Sequence, residues 1–341
     1  ASIPIKEIIK KTQIDPSHID DVIIGCANQA GEDNRNIARM ALLLAGIPYS
    51  VPGETINRLC ASGMSSIIHA HRAIKANDGD LFISGGVENM TRGPLVISKA
   101  STAYGRDSKM FDSSFGWRFI NPLLDKLYGT DSMGTTAENL VSKYNISRED
   151  QDKFAYNSQM KASLSQKNGV FEQEIVKVVI PQRKKEDIVF DKDEFIKPNT
   201  SIEILSKLRA AFKKDGSVTA GNSSGLNDGA AAMLLSSYEG LKKFNLKPKA
   251  KIISSAVVGV EPKIMGIGPV HSSIKALNKA NLSLDDMDVI EINEAFSAQA
   301  LACIRELKLE DNDPRINPNG GAIALGHPLG MSGTRIIQSA T

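Results

Sequence analysis

The stretch IKEIIKKTQIDPSHIDDVIIG, residues 5–25, decides the fold because a similar stretch occurs near the other end of the chain. Residues 274–293 are IKALNKANLSLDDMDVIEIN, and the two align with a one-residue gap. Each combines helical spacing of apolar residues, an acidic link and an Asp-Val-Ile run typical of a strand. A second pair, CASGMSSII (60–68) and GMSGTRII (330–337), follows in the same order. The simplest interpretation is a duplication that gives two similar α/β halves.

Between these stretches, short β-rich runs alternate with helical patterns, which is typical of an α/β protein. The predicted strands are 20–25, 80–86, 229–237, 249–260 and 287–293. NIARMALLLAG and EAFSAQALACIREL predict helices. The middle of the chain is polar and rich in turn residues, which predicts an inserted loop domain. We therefore predict a first half at 1–90 plus 226–247, a loop domain at 91–225, and a second, incomplete half at 248–341.

The composition excludes several classes of protein. The 341 residues are 41% hydrophobic and 23% charged, as in a globular protein. The net charge is +2, and the few aromatic residues are not interleaved with the basic clusters, so no nucleic-acid partner is expected. No apolar run is long enough to predict a membrane span. The three cysteines form no C-x-x-C pair, which argues against a disulfide scaffold and a zinc site and favours a reducing compartment, the cytoplasm.

The segment NRLCASGM, residues 57–64, places Cys60 between a predicted strand and a predicted helix. The unpaired N–H groups and the positive end of a helix dipole favour an anion at such a point. That setting predicts a lowered thiol pKa and a thiolate nucleophile. The alternative is a small buried hydrophobic residue, which is what most free cysteines are.

His327 and Asn293 are the other candidates for chemistry. His327 lies among the glycines of NPNGGAIALGHPLGMSG, residues 317–333, and Pro328 holds it in extended geometry. The alternative is a glycine-rich turn that contains an incidental histidine. Asn293 precedes a predicted helix, so it could simply be the N-cap. However, Asn293 and Cys60 both follow strands, and two duplicated halves would direct both strand ends into one cleft.

Five segments together resemble the successive signature blocks of thiolases, in family order and across nearly the whole chain: NRLCASGM, GGVENMTRGP, TAGNSSGLNDGAA, NEAFSAQ and NPNGGAIALGHPLGMSGTR. The resemblance implies the thiolase fold, with two duplicated βαβαβαββ halves in a layered αβαβα arrangement and an inserted loop domain. Within the family, FGWRFINPLLDKLYGTDSM (115–133) most resembles 3-oxoadipyl-CoA thiolases of aromatic degradation, and Ser132 favours a degradative enzyme.

The resemblance also implies a chemistry, that of an acetyl-CoA C-acyltransferase. Cys60 would attack the 3-keto carbon of a 3-oxoacyl-CoA, so that the acyl group moves to sulfur and acetyl-CoA leaves. His327 would activate the thiol or stabilise the thioester oxygen, and Asn293 would hold a water in the same oxyanion hole. Coenzyme A would be a co-substrate, with no permanently bound cofactor and no metal. The family's assembly predicts a homodimer or a homotetramer.

Further residues match positions that contact coenzyme A in the family. Those expected beside the pantetheine arm are Ser224, Ala295, Phe296, Met133, Phe212 and Ala220. Met265 would line the acyl pocket. Lys197 stands where many relatives have an arginine beside the CoA phosphates, and a lysine meets a phosphate as a point charge, without the bidentate fork.

The sequence also departs from the family pattern. A second catalytic cysteine, in a Cys-x-Gly-Gly-Gly loop beyond SGTRI, has no counterpart here, and Cys303 is expected only to pack. We therefore expect a chain truncated at both ends. Three alternatives stay open: a thiolase for acetoacetyl-CoA or for the general 3-ketoacyl-CoAs of β-oxidation, a non-catalytic CoA-binding protein of the same fold, and a carrier-protein-dependent condensing enzyme.

Overall fold

The computed structural model describes residues 1–341. Its strands are β1 (Asp21–Gly25), β2 (Gly53–Ile56), β3 (Leu81–Glu88), β4 (Leu95–Ile97), β5 (Met110–Asp112), β6 (Val178–Ile180), β7 (Ile188–Phe190) and β8 (Gly229–Ser236). Its helices are α1 (Ser2–Thr12), α2 (Ile37–Ala45), α3 (Ser62–Ala76), α4 (Pro122–Tyr128), α5 (Met133–Tyr144), α6 (Arg148–Lys167), α7 (Ile202–Ser206), α8 (Tyr238–Lys243), α9 (Gly268–Ala280), α10 (Ser297–Glu306), α11 (Ala322–Leu325) and α12 (Leu329–Ser339). None of these helices combines the length and the apolar character that crossing a bilayer requires.

The first half of the chain is built on a four-stranded sheet in the order β2-β1-β3-β8. β1 pairs in parallel with both β2 and β3, with Val22 opposite Gly53 and Ile83, and β8 closes the sheet antiparallel to β3. Because β1 is covered on both faces, its apolar residues form a continuous run rather than an alternating one. The carboxyl ends of β1, β2 and β3 consequently meet at one edge of the sheet.

The pleat of the sheet divides the core into two layers. Val22 and Ile24 point to one face, where they pack with α1 and α2. Ile23 points to the other face, where it packs with Ile67 of α3 and with Ile337 of α12. Successive residues of β1 therefore pack against helices on opposite faces of the sheet, and α3 and α12 lie on the same face.

The second core lies outside this sheet. It is formed by α5, α6, α9, α10 and α11, and its buried side chains include Leu140, Phe154, Leu301 and Ile323. A buried carboxylate connects its elements: Glu294 accepts hydrogen bonds from Ser158 Oγ at 2.6 Å and from the Ile323 N–H at 3.2 Å. Such a buried carboxylate is tolerated because its oxygens are hydrogen-bonded.

Three of the five strands first predicted are confirmed, as β1, β3 and β8, and the strand predicted just before Cys60, at 51–56, is confirmed as β2. The predictions for 249–260 and 287–293 are wrong: neither segment pairs as a strand, and the second contributes only a parallel bridge between Ile290 and Ile316. Apolar, β-branched composition favours extended backbone, but a strand also needs a neighbouring chain to accept its hydrogen bonds. In the second half no such neighbour lies alongside 249–260.

The middle of the chain is less irregular than its composition predicts. Residues 91–225 contain the long helices α5 and α6, together with the hairpins β4–β5 and β6–β7. The serine N-caps explain the helix starts, since Ser132 Oγ accepts from the Thr135 N–H and Ser147 Oγ from the Asp150 N–H. The division of the chain into three domains stays a prediction.

Candidate active site

Cys60 lies in a tightly held turn between β2 and α3. Leu59, the residue before it, has a φ of 48°, in the left-handed region that a leucine rarely adopts. Ser62 fixes the turn, because its Oγ accepts from the Arg58 N–H at 2.8 Å and donates to the Leu59 carbonyl at 2.6 Å. Backbone strain of this kind persists only where the surroundings impose it, and it is common at functional sites.

The surroundings of Cys60 correct one expectation. Burial of the thiol raises the pKa of Cys60 to about 11, and the Glu88 carboxylate adds to the rise. The loss of water around the sulfur therefore outweighs the positive end of α3, which on its own would lower the thiol pKa. At neutral pH Cys60 is a thiol, so its use as a nucleophile requires a nearby group that accepts its proton.

His327 is buried just before α12, and its hydrogen bonds define its tautomer. Ser332 Oγ lies 2.6 Å from the ring Nδ1 and donates its own hydrogen to the Pro328 carbonyl at 3.0 Å. Because a hydroxyl has one hydrogen, Nδ1 of His327 must be the donor to Ser332. Nε2 therefore carries the lone pair, in keeping with the Asn293 Nδ2 that lies 3.3 Å away.

The protonation state of His327 follows from its burial. Removal from water lowers the pKa of His327 to about 4, and the nearby charge of Arg335 lowers it further. The imidazole is therefore neutral at pH 7, with Nε2 free to take a proton. The backbone N–H of His327 is also held, since it donates to Asn227 Oδ1 at 3.2 Å.

Asn293 does not cap the helix that follows it, so the N-cap interpretation is wrong. α10 begins at Ser297, with Phe296 in the cap position. The side chain of Asn317 instead holds the backbone beside Asn293, by accepting from the Ile292 N–H at 2.8 Å and donating to the Ile292 carbonyl at 2.9 Å. The Oδ1 of Asn293 is buried and accepts no hydrogen bond from the protein, so it can still accept one from a ligand.

A close backbone contact brings the two helix starts together. A Cβ on Gly63, in the first turn of α3, would lie 2.6 Å from the carbonyl oxygen of Gly330, in the first turn of α12. A Cβ on Gly333 would lie 2.4 Å from the Met64 nitrogen. Only glycine allows the helices to approach this closely. Cys60 and His327 each lie three residues before one of the contacting glycines, so both lie at this junction.

Glu88, at the end of β3, connects the junction to the sheet. Its carboxylate accepts from the Ala27 N–H at 3.0 Å, from the Asn28 N–H at 3.0 Å and from the Gly330 N–H at 2.8 Å. Asn57 adds a further tie, because its Nδ2 donates to the Ala27 carbonyl at 2.9 Å. The loop after β1 thereby contacts both the turn before Cys60 and the start of α12.

One group of side chains has the composition of a metal site. Potential ligand atoms of Cys26, Asp33 and Glu88 lie within 4.8 Å of one another, and all three residues are buried. Cys26 Sγ lies 3.6 Å from Asp33 Oδ2 and 3.8 Å from Glu88 Oε1, so its one hydrogen can be donated to either carboxylate, and Asp33 also accepts from the Gly31 N–H. These contacts, with the backbone donors on Glu88, give the carboxylates hydrogen-bond partners within the protein itself.

Several residues expected near coenzyme A lie together. The Ser224 N–H donates to the Ala295 carbonyl at 3.0 Å, and Phe296 forms a bridge with the residue before Ser224. The rings of Phe212 and Phe296 meet edge to face with centroids 5.7 Å apart. A Cβ on Gly134 would clash with Phe212, so this ring also lies against the start of α5, next to Met133.

The remaining predicted contacts are more dispersed. Met265 lies in a 3-10 segment packed on α5 and is 37% exposed, and Ala220 lies on the surface of the loop that precedes Ser224. Lys197 is exposed, with its Nζ 3.9 Å from the centroid of the Phe195 ring. That ring packs beside Gly225, so the lysine lies near the Ser224 loop.

Four residues that hold the site were missed by sequence reasoning: Glu88, Asn227, Asn317 and Ser332. All four lie inside the quoted motifs. Each fixes a site residue or its neighbour through a hydrogen bond, either from elsewhere in the fold or from the adjoining helical turn. Only Ser332 carried a usable signal, because a serine in the first turn of a helix is close to the residue just before that helix. The other partners depend on tertiary contacts.

Comparison with protein families gives two matches that together span the chain. The thiolase N-terminal domain matches residues 1–239, and the thiolase C-terminal domain matches residues 246–341.

Curated relatives and solved structures agree with these matches. The chain is 55% identical to a beta-ketoadipyl-CoA thiolase of Acinetobacter baylyi, covering 99% of this chain and 85% of the relative. It is 54% identical to the 3-oxoadipyl-CoA/3-oxo-5,6-dehydrosuberyl-CoA thiolase of Escherichia coli K12, covering 100% and 85%. Among structures, the Bacillus anthracis acetyl-CoA acetyltransferase (99% of this chain, 84% of that one) and human mitochondrial 3-ketoacyl-CoA thiolase (100% and 84%) each superpose with a TM-score of 0.90 at 40% identity.

Proposed function

Since the chain belongs to the thiolase family and is an acetyl-CoA C-acyltransferase, we propose that it cleaves 3-oxoadipyl-CoA with coenzyme A to give acetyl-CoA and succinyl-CoA. The substrate is supported by the names of relatives 54–55% identical to the chain. The reaction is supported above all by one observation, the contact of α3 with α12 that places Cys60 and His327 at one junction.

In the first half-reaction, Cys60 attacks C3 of the substrate while its proton passes to Nε2 of the neutral His327. The Sγ–C3 bond forms, the C2–C3 bond breaks, and its electron pair stays on C2 as the enolate of acetyl-CoA. His327, now protonated, donates a hydrogen bond to the thioester oxygen on which this charge develops. One imidazole nitrogen thus serves first as a base and then as an electrostatic stabiliser, which suits a group that begins the reaction uncharged.

In the second half-reaction, the thiol of coenzyme A attacks the succinyl thioester carbon and Cys60 leaves. Before this step the enolate takes up one proton on C2 and His327 gives up the one it received from Cys60, so the imidazole is neutral again; the group that carries the proton to C2 is assigned to none of the side chains described above. Nε2 of His327 then takes the proton of the coenzyme A thiol and returns it to the Cys60 sulfur as that sulfur leaves. Asn293 Oδ1 is a free acceptor for a water in the same site.

Coenzyme A would lie along the cluster around Phe296. Phe212, Phe296 and Met133 offer an apolar wall for the pantetheine arm, and Ser224, Ala220 and Ala295 line the adjoining loop. Met265 would contact the acyl chain. Lys197 has no carboxylate partner and would meet a phosphate as a point charge.

The assembly and the compartment are also proposals. We expect a homodimer or homotetramer, and the apolar side chains exposed on β4, β5 and α4 are consistent with a protein contact there: Leu95, Ile97, Met110, Leu123 and Leu127. The three free cysteines suit the cytoplasm.

The proposed reaction is tested by thiolysis of 3-oxoadipyl-CoA and of acetoacetyl-CoA, with the acyl-CoA products separated by chromatography. We expect 3-oxoadipyl-CoA to be preferred in kcat/KM, with equal amounts of acetyl-CoA and succinyl-CoA formed. A preference for acetoacetyl-CoA would overturn the substrate assignment. Binding of coenzyme A without any cleavage would favour the non-catalytic alternative.

The role of Cys60 is tested by thiol labelling. Cys60 is half-buried and its thiol pKa is about 11, whereas Cys303 is fully buried with a pKa of about 12 and Cys26 is buried with a pKa raised still further. Iodoacetamide should therefore label Cys60 first, and 3-oxoadipyl-CoA should protect it. Cys60→Ala should lower kcat by at least about 10³-fold, while Cys303→Ala, a packing control, should retain activity. Equal labelling of all three thiols would contradict the assignment.

A further inference from the structure

The proposed substrate carries a feature that the site must recognise. After the first half-reaction the Cys60 thioester holds a succinyl group, whose free carboxylate lies three carbon–carbon bonds from the carbon attached to sulfur. In an extended chain the two carbon atoms are roughly 4 Å apart. A charge withdrawn from water needs a partner, and arginine matches a carboxylate best. The partner must therefore lie near the sheet edge that carries Cys60.

Three arginines lie on segments at that edge: Arg58 before Cys60, Arg92 after β3, and Arg118, which contacts the loop after β1. A fourth, Arg335 of α12, acts on His327, but its charge also acts on the carboxylates of Glu174, Asp193 and Glu291. Arg92 is already paired, with its Nη2 2.6 Å from Glu32 Oε1, and its side chain is 71% exposed. Arg58 precedes Cys60, but it is exposed and its guanidinium makes no contact that would fix its direction. Charges that are free in solvent are screened and contribute little to binding.

Arg118 differs from both. Its guanidinium is half-buried and donates from Nη2 to Asn28 Oδ1 at 2.8 Å and from Nη1 to the Ser113 carbonyl at 3.2 Å. Both acceptors are neutral. The ion pairs that arginines form in the structure belong to other residues: Arg92, Arg148, Arg305 and Arg315. Arg118 is thus a positioned cation whose charge no carboxylate balances.

Arg118 is held against the loop that joins the two halves of the site. Asn28, its partner, follows β1, the strand that lies between β2, which leads to Cys60, and β3, which ends at Glu88. The backbone N–H of Asn28 donates to Glu88 at 3.0 Å, and Glu88 also accepts from the start of α12. Arg118 therefore contacts the loop that is hydrogen-bonded to the turn before Cys60 and is linked through Glu88 to the start of α12.

We propose that Arg118 binds the terminal carboxylate of the acyl chain and thereby selects dicarboxylic 3-oxoacyl-CoA substrates. The inference rests on the proposed function, because it assigns a residue to the recognition of that substrate. The two hydrogen bonds to neutral oxygens fix the guanidinium before binding, so little side-chain freedom is lost when the carboxylate arrives. The remaining N–H groups of the guanidinium are available to it.

The test compares two substrates that differ only in the carboxylate. 3-Oxoadipyl-CoA is compared with 3-oxohexanoyl-CoA, which has the same number of acyl carbons and no terminal charge. Arg118→Gln should lower kcat/KM for 3-oxoadipyl-CoA by about 100-fold, as expected for loss of a charge-assisted hydrogen bond. The value for 3-oxohexanoyl-CoA should stay within about threefold, and Arg118→Lys should restore part of the lost selectivity.

Two control variants separate this role from others. Arg106→Gln removes an equal charge from an exposed position in the preceding segment and should leave both values unchanged. An equal loss for both substrates in Arg118→Gln would show a purely structural role and overturn the proposal. It would also be overturned if Arg58→Gln, and not Arg118→Gln, abolished the selectivity.

A binding measurement distinguishes failure of this proposal from failure of the proposed function. The affinities of succinyl-CoA and butyryl-CoA are measured by calorimetry on the wild-type protein and on Arg118→Gln. A preference for succinyl-CoA that disappears in the variant supports the role of Arg118 even if neither substrate is cleaved, in which case the proposed reaction fails alone. No preference in the wild-type protein, or an unchanged preference in the variant, contradicts the role of Arg118.

Discussion

The imidazole of His327 shows how much of the site's chemistry is set by one buried side chain. Its neutral state follows from burial, and its orientation follows from the hydrogen bonds of its ring nitrogens to Ser332 and Asn293, while the backbone N–H of His327 donates to Asn227. A residue held this way exchanges a proton with the substrate thiol without first having to lose one to solvent. Keeping a buried imidazole neutral lowers the stability of the folded protein in acid, and this loss of stability can be measured.

We expect His327 to make the protein less stable in mild acid. Its folded pKa of about 4 lies below the unfolded value of about 6.5, so between these values the unfolded chain binds a proton that the native protein does not. This contribution is absent above about pH 7 and reaches about 2 kcal/mol of lost stability near pH 5. Urea denaturation of wild type and His327→Asn at both pH values measures it. An equal loss of stability in the two proteins on acidification would contradict the prediction.

The residues proposed for catalysis could be chosen from the sequence, whereas their ionisation could not. Cys60 and His327 are conspicuous because each precedes a helix in a segment rich in small residues. The position of Cys60 predicted a lowered thiol pKa, but the structure raises it. A helix start can be identified in the sequence, but the loss of water around a sulfur atom depends on residues far away, among them Glu88.

At the scale of elements, the site depends on how closely α12 lies against β3 and α3. A Cβ on Gly86 of β3 would lie 1.9 Å from the carbonyl oxygen of Gly330; the oxygen belongs to the backbone, and the position of a Cβ is fixed by the backbone that carries it. Neither can move aside by changing a rotamer. The position of His327 relative to the sheet is therefore set by a main-chain contact.

Gly86→Ala should consequently force α12 away from the sheet. We expect a loss of about 3 kcal/mol in the free energy of unfolding, the upper range for overpacking a core, and a marked fall in kcat because His327 moves with the helix. Gly259→Ala is the matched control, since nothing lies within 4 Å of its Cβ, and it should change stability by less than about 0.5 kcal/mol. Similar stability of the two variants in urea would show that the contact is unimportant.

At the scale of the whole molecule, the fold could be predicted from the resemblance of five segments to thiolases, but the pairing of its strands could not. The predicted thiolase fold is confirmed by solved structures that superpose with a TM-score of 0.90. Asn317 illustrates what pattern cannot supply: its side-chain amide makes, to Ile292, the two bonds that a neighbouring strand would otherwise make. Distant parts of the chain compete to form hydrogen bonds with the same backbone groups. Which of them succeeds depends on the tertiary structure and cannot be read from a local sequence pattern.

Hydrogen exchange should reveal this unequal pairing. The backbone N–H groups of 249–260 donate to no backbone carbonyl, whereas β3 is paired along its full length with β1 on one side and β8 on the other. We expect the amides of 249–260 to exchange orders of magnitude faster than those of β3, since exchange there requires no opening of a ladder. Mass spectrometry of peptic fragments measures both segments in one experiment. Comparable protection in the two segments would contradict the prediction.

The contact of α3 and α12 through glycines also limits where the protein can adapt to different acyl groups. Where Gly63 meets Gly330, the two backbones touch directly, so no long side chain separates them that could change rotamer to accommodate a longer or bulkier acyl chain. The separation of sulfur and imidazole is then fixed by peptide geometry and stays the same from one substrate to the next. Adaptation must fall to residues away from this contact, such as the partly exposed Met265, so variation among acyl chains should alter affinity while the geometry of the reacting pair is preserved.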